Sequence, residues 1–166
     1  MCACSSRLQE LFYSTGDLQS IPIHDYRLRI VKVFPEYDIA ILESDEDLCN
    51  SPFLSETTFN LVIGQHLFYI GYEVAESDAT TKALKANNAH IVNILEKEYD
   101  PILKVKIIEF EGVAVPGYSG GPVINDNNKV VAIITEAYEI AIPPRSFRIN
   151  RASSIIGIVD LYCGAT

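Results

Sequence analysis

The segment VAVPGYSGGPVIN, residues 113–125, surrounds a single serine with three glycines and two prolines. Glycine and proline are the commonest turn residues, so one interpretation is a structural turn. The other is that Ser119 is a nucleophile held on a constrained loop. A serine hydroxyl attacks a carbonyl only when a base takes its proton and N–H donors stabilise the oxyanion. The rest of the sequence has to decide between the two interpretations.

Composition excludes several classes of function. The chain has 166 residues, enough for one domain or for two small lobes that share a core. Its net charge of −9 argues against binding to nucleic acid or to an acidic membrane surface, because both require clustered Lys and Arg. No apolar run reaches the length of a membrane span, and residues 1–10 lack a signal-peptide core. As written, the chain is expected in the cytoplasm.

The cysteines and histidines do not form a metal-binding pattern. Cys2 and Cys4 make one C-x-C, and no second pair follows at zinc-binding spacing. The three histidines, His24, His66 and His90, are scattered along the chain. We therefore expect free thiols, no metal site and no cofactor.

Hydrophobic residues alternate with a period of two along most of the chain, which indicates short β-strands. The predicted strands are 28–34, 39–43, 66–72, 90–95, 103–111 and 129–135. Helix is expected only as one turn at 45–50 and as a terminal helix at 150–162, with Asn150 as a possible N-cap. Many short strands separated by Gly and Pro predict an all-β sandwich or barrel. The polar stretch 76–88 is the best candidate for a seam between two lobes.

GYSGG fits two nucleophile patterns. The G-x-S-x-G elbow requires a helix after the serine, and then an acid and a histidine in that order. Here Pro122 and a further strand follow, and no histidine occurs after Ser119, so this pattern fails. The second pattern is G-x-S-G-G-P. In this pattern, the segment GYSGGPVIN followed by KVVAIIT resembles the nucleophile loop of trypsin-like (chymotrypsin-fold) serine peptidases. The resemblance is strongest to their bacterial, HtrA-like branch.

The resemblance implies roles for individual residues. Ser119 would be the nucleophile, and the N–H groups of Gly117 and Ser119 would form the oxyanion hole. EYDIAILES, residues 36–44, resembles the segment that carries the acid of the catalytic triad, which would be Asp38. IGQHLFYIGY, residues 63–72, resembles the strand pair that follows in bacterial members, so the likeness runs from about residue 10 to the end of the chain.

The resemblance also implies the architecture and the substrate. The fold would be two Greek-key β-barrels with a short C-terminal helix: a partial barrel at 1–80, incomplete at its N-terminus, and a second barrel at 81–166 with the nucleophile loop. The substrate would be a protein or peptide. Val113 would lie near the floor of the specificity pocket and Thr135 and Glu136 near its wall, and an apolar floor favours an uncharged side chain. Tyr118 stands where trypsin has the aspartate that pairs with the new N-terminus, so activation of that kind is not expected.

One part of the family pattern is missing, because the triad has the order His, Asp, Ser and its histidine ends a T-A-A-H stretch before the acid. Only His24 precedes Asp38, in a segment that corresponds to a surface strand, while His66 and His90 follow it as ordinary strand residues. Either the chain is part of a longer peptidase whose base lies upstream, or it is a degenerate member that lost catalysis. The joint presence of Ser119, Gly117 and Asp38 favours the first.

The chain as written is therefore expected to show no useful peptidase activity. Loss of the nucleophile or the base of a triad lowers turnover on the order of 10⁶-fold, because only the oxyanion hole and substrate binding then remain. Cleavage of peptide substrates by the purified chain is the measurement. Robust cleavage that Ser119→Ala abolishes would contradict this expectation, and its loss in His24→Ala would identify His24 as the base.

Overall fold

The computed structural model describes residues 11–13, 28–44, 60–75, 78–98, 104–112, 117–156 and 158. This part of the chain is almost entirely β-strand. In chain order its strands are β1 (Leu11–Tyr13), β2 (Leu28–Phe34), β3 (Ile39–Ser44), β4 (His66–Ala75), β5 (Asp78–Glu98), β6 (Lys104–Glu111), β7 (Pro122–Ile124), β8 (Val130–Ile142) and β9 (Arg145–Ser154).

The strands form two antiparallel sheets. The smaller one has the order β1-β3-β2. The larger one is a closed barrel of order β4-β5-β6-β9-β8-β7, and the pairing of β4 with β7 completes the ring. Closure pairs the edge strands that an open sheet would expose. The connection from β6 to β7, residues 112–121, contains the serine loop, which therefore lies at one end of the barrel.

The alternating segments are confirmed as strands, and residues 78–88 of the polar stretch expected as a seam, 76–88, are strand as well. Residues 78–88 belong to β5 and pair along β4 in a long hairpin. Side chains 83–86 of this hairpin are exposed, so a paired strand here does not need apolar residues. The domain boundary expected between residues 80 and 81 falls inside β5, and the strand order assigns β4 to the barrel. The division into two domains stays a prediction.

The helix expected from residue 150 is wrong for residues 150–154. These residues form the end of β9, where Asn150 pairs with Phe110 on one side and Ala137 on the other, so Asn150 is not an N-cap. Pairing on both sides, together with burial of Ala152, overrides the helical pattern. Residues 156 and 158 are helical, while 157 and 159–162, like the turn expected at 45–50, lie outside the described residues. No helix in the described ranges is long and apolar enough to cross a bilayer.

A shared hydrophobic core joins the small sheet to the barrel. Phe34, Tyr37, Ile39 and Ile41 are buried in one cluster with barrel residues, which include Val105, Ile107, Val130, Ile133 and Ile155. A buried hydrogen bond lies at the same contact, where the Ser153 hydroxyl donates to the Tyr37 carbonyl at 2.6 Å. The residue after Tyr37 is Asp38, so this contact determines where the predicted triad acid lies relative to the barrel.

Ser153→Ala should destabilise the fold by about 1 to 3 kcal/mol, because it removes the donor from a buried carbonyl. The free energy of unfolding in urea is the measurement. Ser146→Ala is the matched control, since Ser146 lies on the same strand but is exposed, and it should change stability by less than about 0.5 kcal/mol. Equal effects of the two substitutions would show that the Ser153–Tyr37 contact contributes nothing.

Candidate active site

Backbone hydrogen bonds attach the serine loop to two barrel strands. Toward β8, the Gly120 N–H donates to the Ile134 carbonyl at 2.8 Å, and the Ile134 N–H donates to the Gly121 carbonyl at 3.0 Å. Toward β4, the Tyr72 N–H donates to the Gly117 carbonyl at 3.2 Å. A turn bond from the Gly121 N–H to the Tyr118 carbonyl, 2.9 Å, closes the loop itself. The backbone on both sides of Ser119 is therefore held by the barrel.

Two glycines in this loop are required by close approach of backbone. Gly117 has φ +109°, and a Cβ there would overlap the Tyr72 carbonyl oxygen. A Cβ on Gly121 would likewise overlap the Ile70 carbonyl oxygen. A side chain at either position would push the loop away from β4. The sequence interpretation of Gly117 as a residue that permits a special backbone conformation agrees with this geometry.

Ser119 is exposed, whereas Tyr118 next to it is completely buried. Within the residues that the structure describes, the N–H groups of Gly117 and Ser119 donate to no acceptor. An oxyanion hole needs donors that are held by the fold and not already used. The loop thus has an exposed serine and two backbone donors that no described acceptor uses, on a backbone that its neighbours hold in place.

Asp38, the predicted triad acid, lies at the end of the 3₁₀ turn Pro35–Tyr37. Its backbone is left-handed, φ 54° and ψ 44°, and its N–H donates to the Pro35 carbonyl at 3.2 Å. Aspartate tolerates this conformation better than most residues. The turn places the half-buried Asp38 side chain directly before β3, facing the barrel.

A cavity of about 500 Å³ contains Asp38 and two residues of the predicted specificity pocket, Thr135 and Glu136. Its lining also includes Tyr37, Ile107, Arg151 and Ser153. The cavity thus brings together the small sheet and strands β6, β8 and β9 of the barrel. Ser119 is not part of the lining, but its loop is bonded to Ile134, the residue before Thr135. Val113, the predicted floor, lies outside the described residues.

A row of polar residues crosses the barrel wall beside this cavity. Asn93, Glu109, Arg151 and Glu136 are direct neighbours on β5, β6, β9 and β8. Arg151 donates from Nε to Glu109 at 2.7 Å and from Nη1 to Glu136 at 2.6 Å. Its guanidinium also lies 4.5 Å from the centre of the Tyr138 ring. Neither Arg151 nor Glu109 was predicted from the sequence as a site residue. The one available sign was that each is a charged residue within a largely apolar segment.

Two groups of this row, Glu109 and Arg151, have shifted pKa values. Burial alone would raise the pKa of Glu109, but hydrogen bonds from Asn93, Arg151 and Tyr138 outweigh it, so the net pKa is lowered. The carboxylates of Glu136 and Glu109 raise the pKa of Arg151 above its already high value. The guanidinium beside Asp38 therefore stays charged, and two carboxylates fix its orientation.

The described histidines do not join the site. His66 on β4 lies against Asp126, with Nδ1 2.7 Å from the carboxylate, and its Nε2 is 3.3 Å from the Asn88 Oδ1. The hydrogen bond to Asp126 raises the pKa of His66. His90 on β5 is the cross-strand partner of His66, and the centres of the two rings are 5.2 Å apart. Among described residues, no hydrogen bond links either ring to Ser119 or Asp38, and no group of three His, Cys, Asp or Glu could hold a metal ion. His24 lies outside the described residues.

Comparison with known protein families decides which fold this is. A family model for the trypsin-like peptidase domain matches residues 15–133, most of the chain. The chain belongs to this family. The match includes Asp38, the serine loop and the first strands of the barrel, and the six-stranded barrel with almost no helix agrees with the chymotrypsin-like fold of these peptidases. A search of curated protein sequences found no match.

Solved structures of two bacterial proteins share the fold of this trypsin-like domain. The protease domain of MamO from Magnetospirillum magneticum matches with a TM-score of 0.60 at 15% identity, over 94% of this chain and 84% of that one. Rv3671c from M. tuberculosis matches in its active form, TM-score 0.58, 19% identity, and in an inactive form, TM-score 0.56, 17% identity. Both matches cover 85% of this chain, which spans only 60% and 66% of the Rv3671c chains.

Glu109→Gln should destabilise this trypsin-like domain by about 1.5 to 3 kcal/mol at pH 7, because charge-assisted hydrogen bonds are lost from a buried position. Because the pKa of Glu109 is lowered in the folded state, its carboxylate stabilises the fold at every pH above the ordinary glutamate pKa of 4.5. This stabilisation is lost as the pH falls below 4.5 and through the folded-state pKa. The difference between variant and parent should therefore shrink toward pH 4. Unfolding free energies across this range are the measurement.

Glu96→Gln is the control for that experiment. Glu96 is exposed on β5 and its nearest cation, Lys106 Nζ, is 4.0 Å away, so the substitution should cost less than about 1 kcal/mol at any pH. A constant difference between Glu109→Gln and the parent at every pH would show that the carboxylate charge is not what stabilises the row.

Proposed function

We propose that this domain is a serine endopeptidase that hydrolyses peptide bonds through an acyl-enzyme at Ser119, with Asp38 as the acid of its triad. The observation that carries the proposal is the serine loop. Its backbone is held between β4 and β8, Ser119 is exposed, and the Gly117 and Ser119 N–H groups donate to no described acceptor. A structural turn would not need this combination of a rigid backbone, an exposed serine and unused backbone donors.

The chemistry assigns one step to each group. The Ser119 oxygen attacks the carbonyl carbon as its proton passes to an imidazole, and the Gly117 and Ser119 N–H groups stabilise the negative oxygen that forms. The same imidazole then protonates the leaving amine, and water hydrolyses the acyl-enzyme. Asp38 orients the imidazole and stabilises its charged form. The base would be a histidine outside the described residues.

This function requires a site between two β-barrels, which is part of the proposal. Strands β1 to β3 would belong to the first barrel and supply Asp38, and the six-stranded barrel would supply Ser119. The shared core and the Ser153–Tyr37 hydrogen bond support this division, since they hold Asp38 at the barrel surface. A C-terminal helix beyond residue 158 would complete the family pattern.

The cavity beside Asp38 supports a specificity pocket with Thr135 and Glu136 in its wall and Val113 at its floor. Arg151 pairs with Glu136, so the charge of that carboxylate is already compensated. A pocket with one compensated ion pair and an apolar floor suits an uncharged side chain of a protein or peptide substrate. MamO and Rv3671c, the structural relatives, are both described as proteases.

A second candidate function is binding without catalysis. The histidines are the specific observation that favours it, since His66 contacts Asp126 and Asn88, and neither described ring is bonded to Ser119 or Asp38. A member of the family without a base would keep the barrel and the cleft and bind peptides without cleaving them.

Acylation of Ser119 with imidazole supplied in solution distinguishes the two functions. The purified chain is incubated with a peptidyl p-nitrophenyl ester, with and without imidazole, and acyl groups are located by mass spectrometry. We expect one acyl group on Ser119, formed faster with imidazole and absent in Ser119→Ala. Asp38→Asn should reduce the effect of imidazole by about tenfold or more, because the imidazolium loses its counter-charge.

Ser146→Ala is the matched control, since it removes an exposed hydroxyl from the same barrel and should leave the acylation rate unchanged. Acylation that is spread over other residues, or that does not depend on Ser119, would overturn the peptidase proposal and favour binding. Fast acylation without imidazole would support the peptidase and show that the chain contains its own base.

A further inference from the structure

The residue before the nucleophile, Tyr118, is fully buried although it carries a polar hydroxyl. That hydroxyl accepts a hydrogen bond from Asn87 Nδ2 at 2.9 Å and donates one to Glu73 Oε1 at 3.2 Å. Both the donor and the acceptor capacity of the phenol are thus used. Glu73 in turn forms an ion pair with Lys85. A chain of polar contacts therefore runs from the β4–β5 hairpin to the residue beside Ser119.

The Tyr118 ring is closely packed against β4. The ring lies directly over the backbone of Gly71, where an added Cβ would overlap it, and its centre is 5.7 Å from the centre of the Tyr69 ring. Tyr69, Gly71 and Glu73 alternate along β4 and so share one face of the sheet. Asn87 and Lys85 are the β5 partners of Tyr69 and Gly71, so the polar contacts of the Tyr118 hydroxyl and the ring contacts with Tyr69 and Gly71 come from the same face of the hairpin.

A change in the backbone of Tyr118 would move both of its neighbours, because rigid peptide planes join it to the Gly117 carbonyl on one side and to the Ser119 N–H on the other. These are the two residues whose N–H groups form the proposed oxyanion hole. The β8 side of the loop is attached through the backbone of Gly120 and Gly121, but on the β4 side the bond from Tyr72 is the only backbone hydrogen bond to the loop among the described residues. The Tyr118 side chain adds to this bond and to the close backbone packing of Gly117 and Gly121.

We propose that Tyr118 is a positioning residue: its hydroxyl, held by Glu73 and Asn87, fixes the direction of the Ser119 N–H group and the placement of Gly117. This rests on the proposed function of the loop as an oxyanion hole. This arrangement needs no free N-terminus and no proteolytic processing step, because the carboxylate that holds Tyr118 is that of Glu73 in the neighbouring hairpin. It would keep the loop in its working geometry whenever Glu73 is ionised.

The ionisation of Glu73 gives the proposal a distinct signature. The Lys85 ammonium, and then the Tyr118 hydroxyl, lower the pKa of Glu73 below its ordinary value of 4.5. The Glu73 carboxylate correspondingly raises the pKa of Lys85. The contact with Tyr118 is therefore intact at neutral pH and weakens only when pH falls through the lowered pKa of Glu73. A residue that merely fills space would not respond to that titration.

The test is NMR of the full ¹⁵N-labelled chain. The amide shifts of Gly117 and Ser119 are followed between about pH 6 and pH 3.5, and exchange of the Gly121 amide is measured against the Ile108 amide in the barrel. We expect the Gly117 and Ser119 shifts to titrate with a midpoint below 4.5. Tyr118→Phe should abolish this titration and speed Gly121 exchange about 3- to 10-fold, the equivalent of one net hydrogen bond.

Two further variants complete the test. Glu73→Gln should remove the titration while leaving the ring in place, and it also serves if Tyr118→Phe does not fold. Tyr72→Phe is the matched control, because Tyr72 is the adjacent tyrosine on β4 but is exposed, and it should behave like the parent. Shifts that titrate equally in the parent, Glu73→Gln and Tyr118→Phe would overturn the positioning role, as would unchanged Gly121 exchange in Tyr118→Phe.

The two proposals fail independently. If the Gly117 and Ser119 shifts follow Glu73 but Ser119 is never acylated in the parent, the positioning contact is real and the peptidase function is wrong. If Ser119 is acylated but its amide does not respond to Glu73, the peptidase function holds and the role of Tyr118 is wrong.

Discussion

The close approach of the serine loop to strand β4 is the constraint on which the rest of the site depends. Gly117 and Gly121 lie against the Tyr72 and Ile70 carbonyls, and the Tyr118 ring lies on Gly71. Glycine is required on both sides of this contact because no side chain fits between the two backbones. Because the loop is packed against β4 and bonded to Ile134 on β8, the backbone position of Ser119 is fixed, and Ser119 itself is exposed.

The position of Asp38 depends on apolar packing between the small sheet and the barrel. Asp38 belongs to the small sheet, and its location relative to the barrel follows from the burial of Tyr37 and Ile39 on either side of it. The Ser153–Tyr37 hydrogen bond adds direction to that packing, which hydrophobic contact alone does not supply. The packed core around Tyr37 and Ile39 thus fixes the backbone that carries this acid.

Charge inside the barrel wall is arranged so that each group has a partner. Glu109 is buried, yet it accepts from three donors, and Arg151 is shared between Glu109 and Glu136 in one row across neighbouring strands. Cross-strand neighbours are close enough for such pairs, and a buried charge without them would be costly. The same row forms one side of the cavity beside Asp38, so the groups that stabilise the wall also determine the polarity of the proposed pocket.

The sequence by itself determined the all-β class, most strand positions and the family, because alternation of apolar residues and the GYSGGP and DIAIL segments are local patterns. It could not show that Asn150 lies in a strand or that the polar residues 78–88 do, since both depend on pairing with distant strands. Nor could it assemble Glu109 with Arg151, or Tyr118 with Glu73, because these contacts join residues far apart in the chain. Only the tertiary pairing of the strands decided them, because hydrogen-bond registry between strands, and not local propensity, sets which side chains meet.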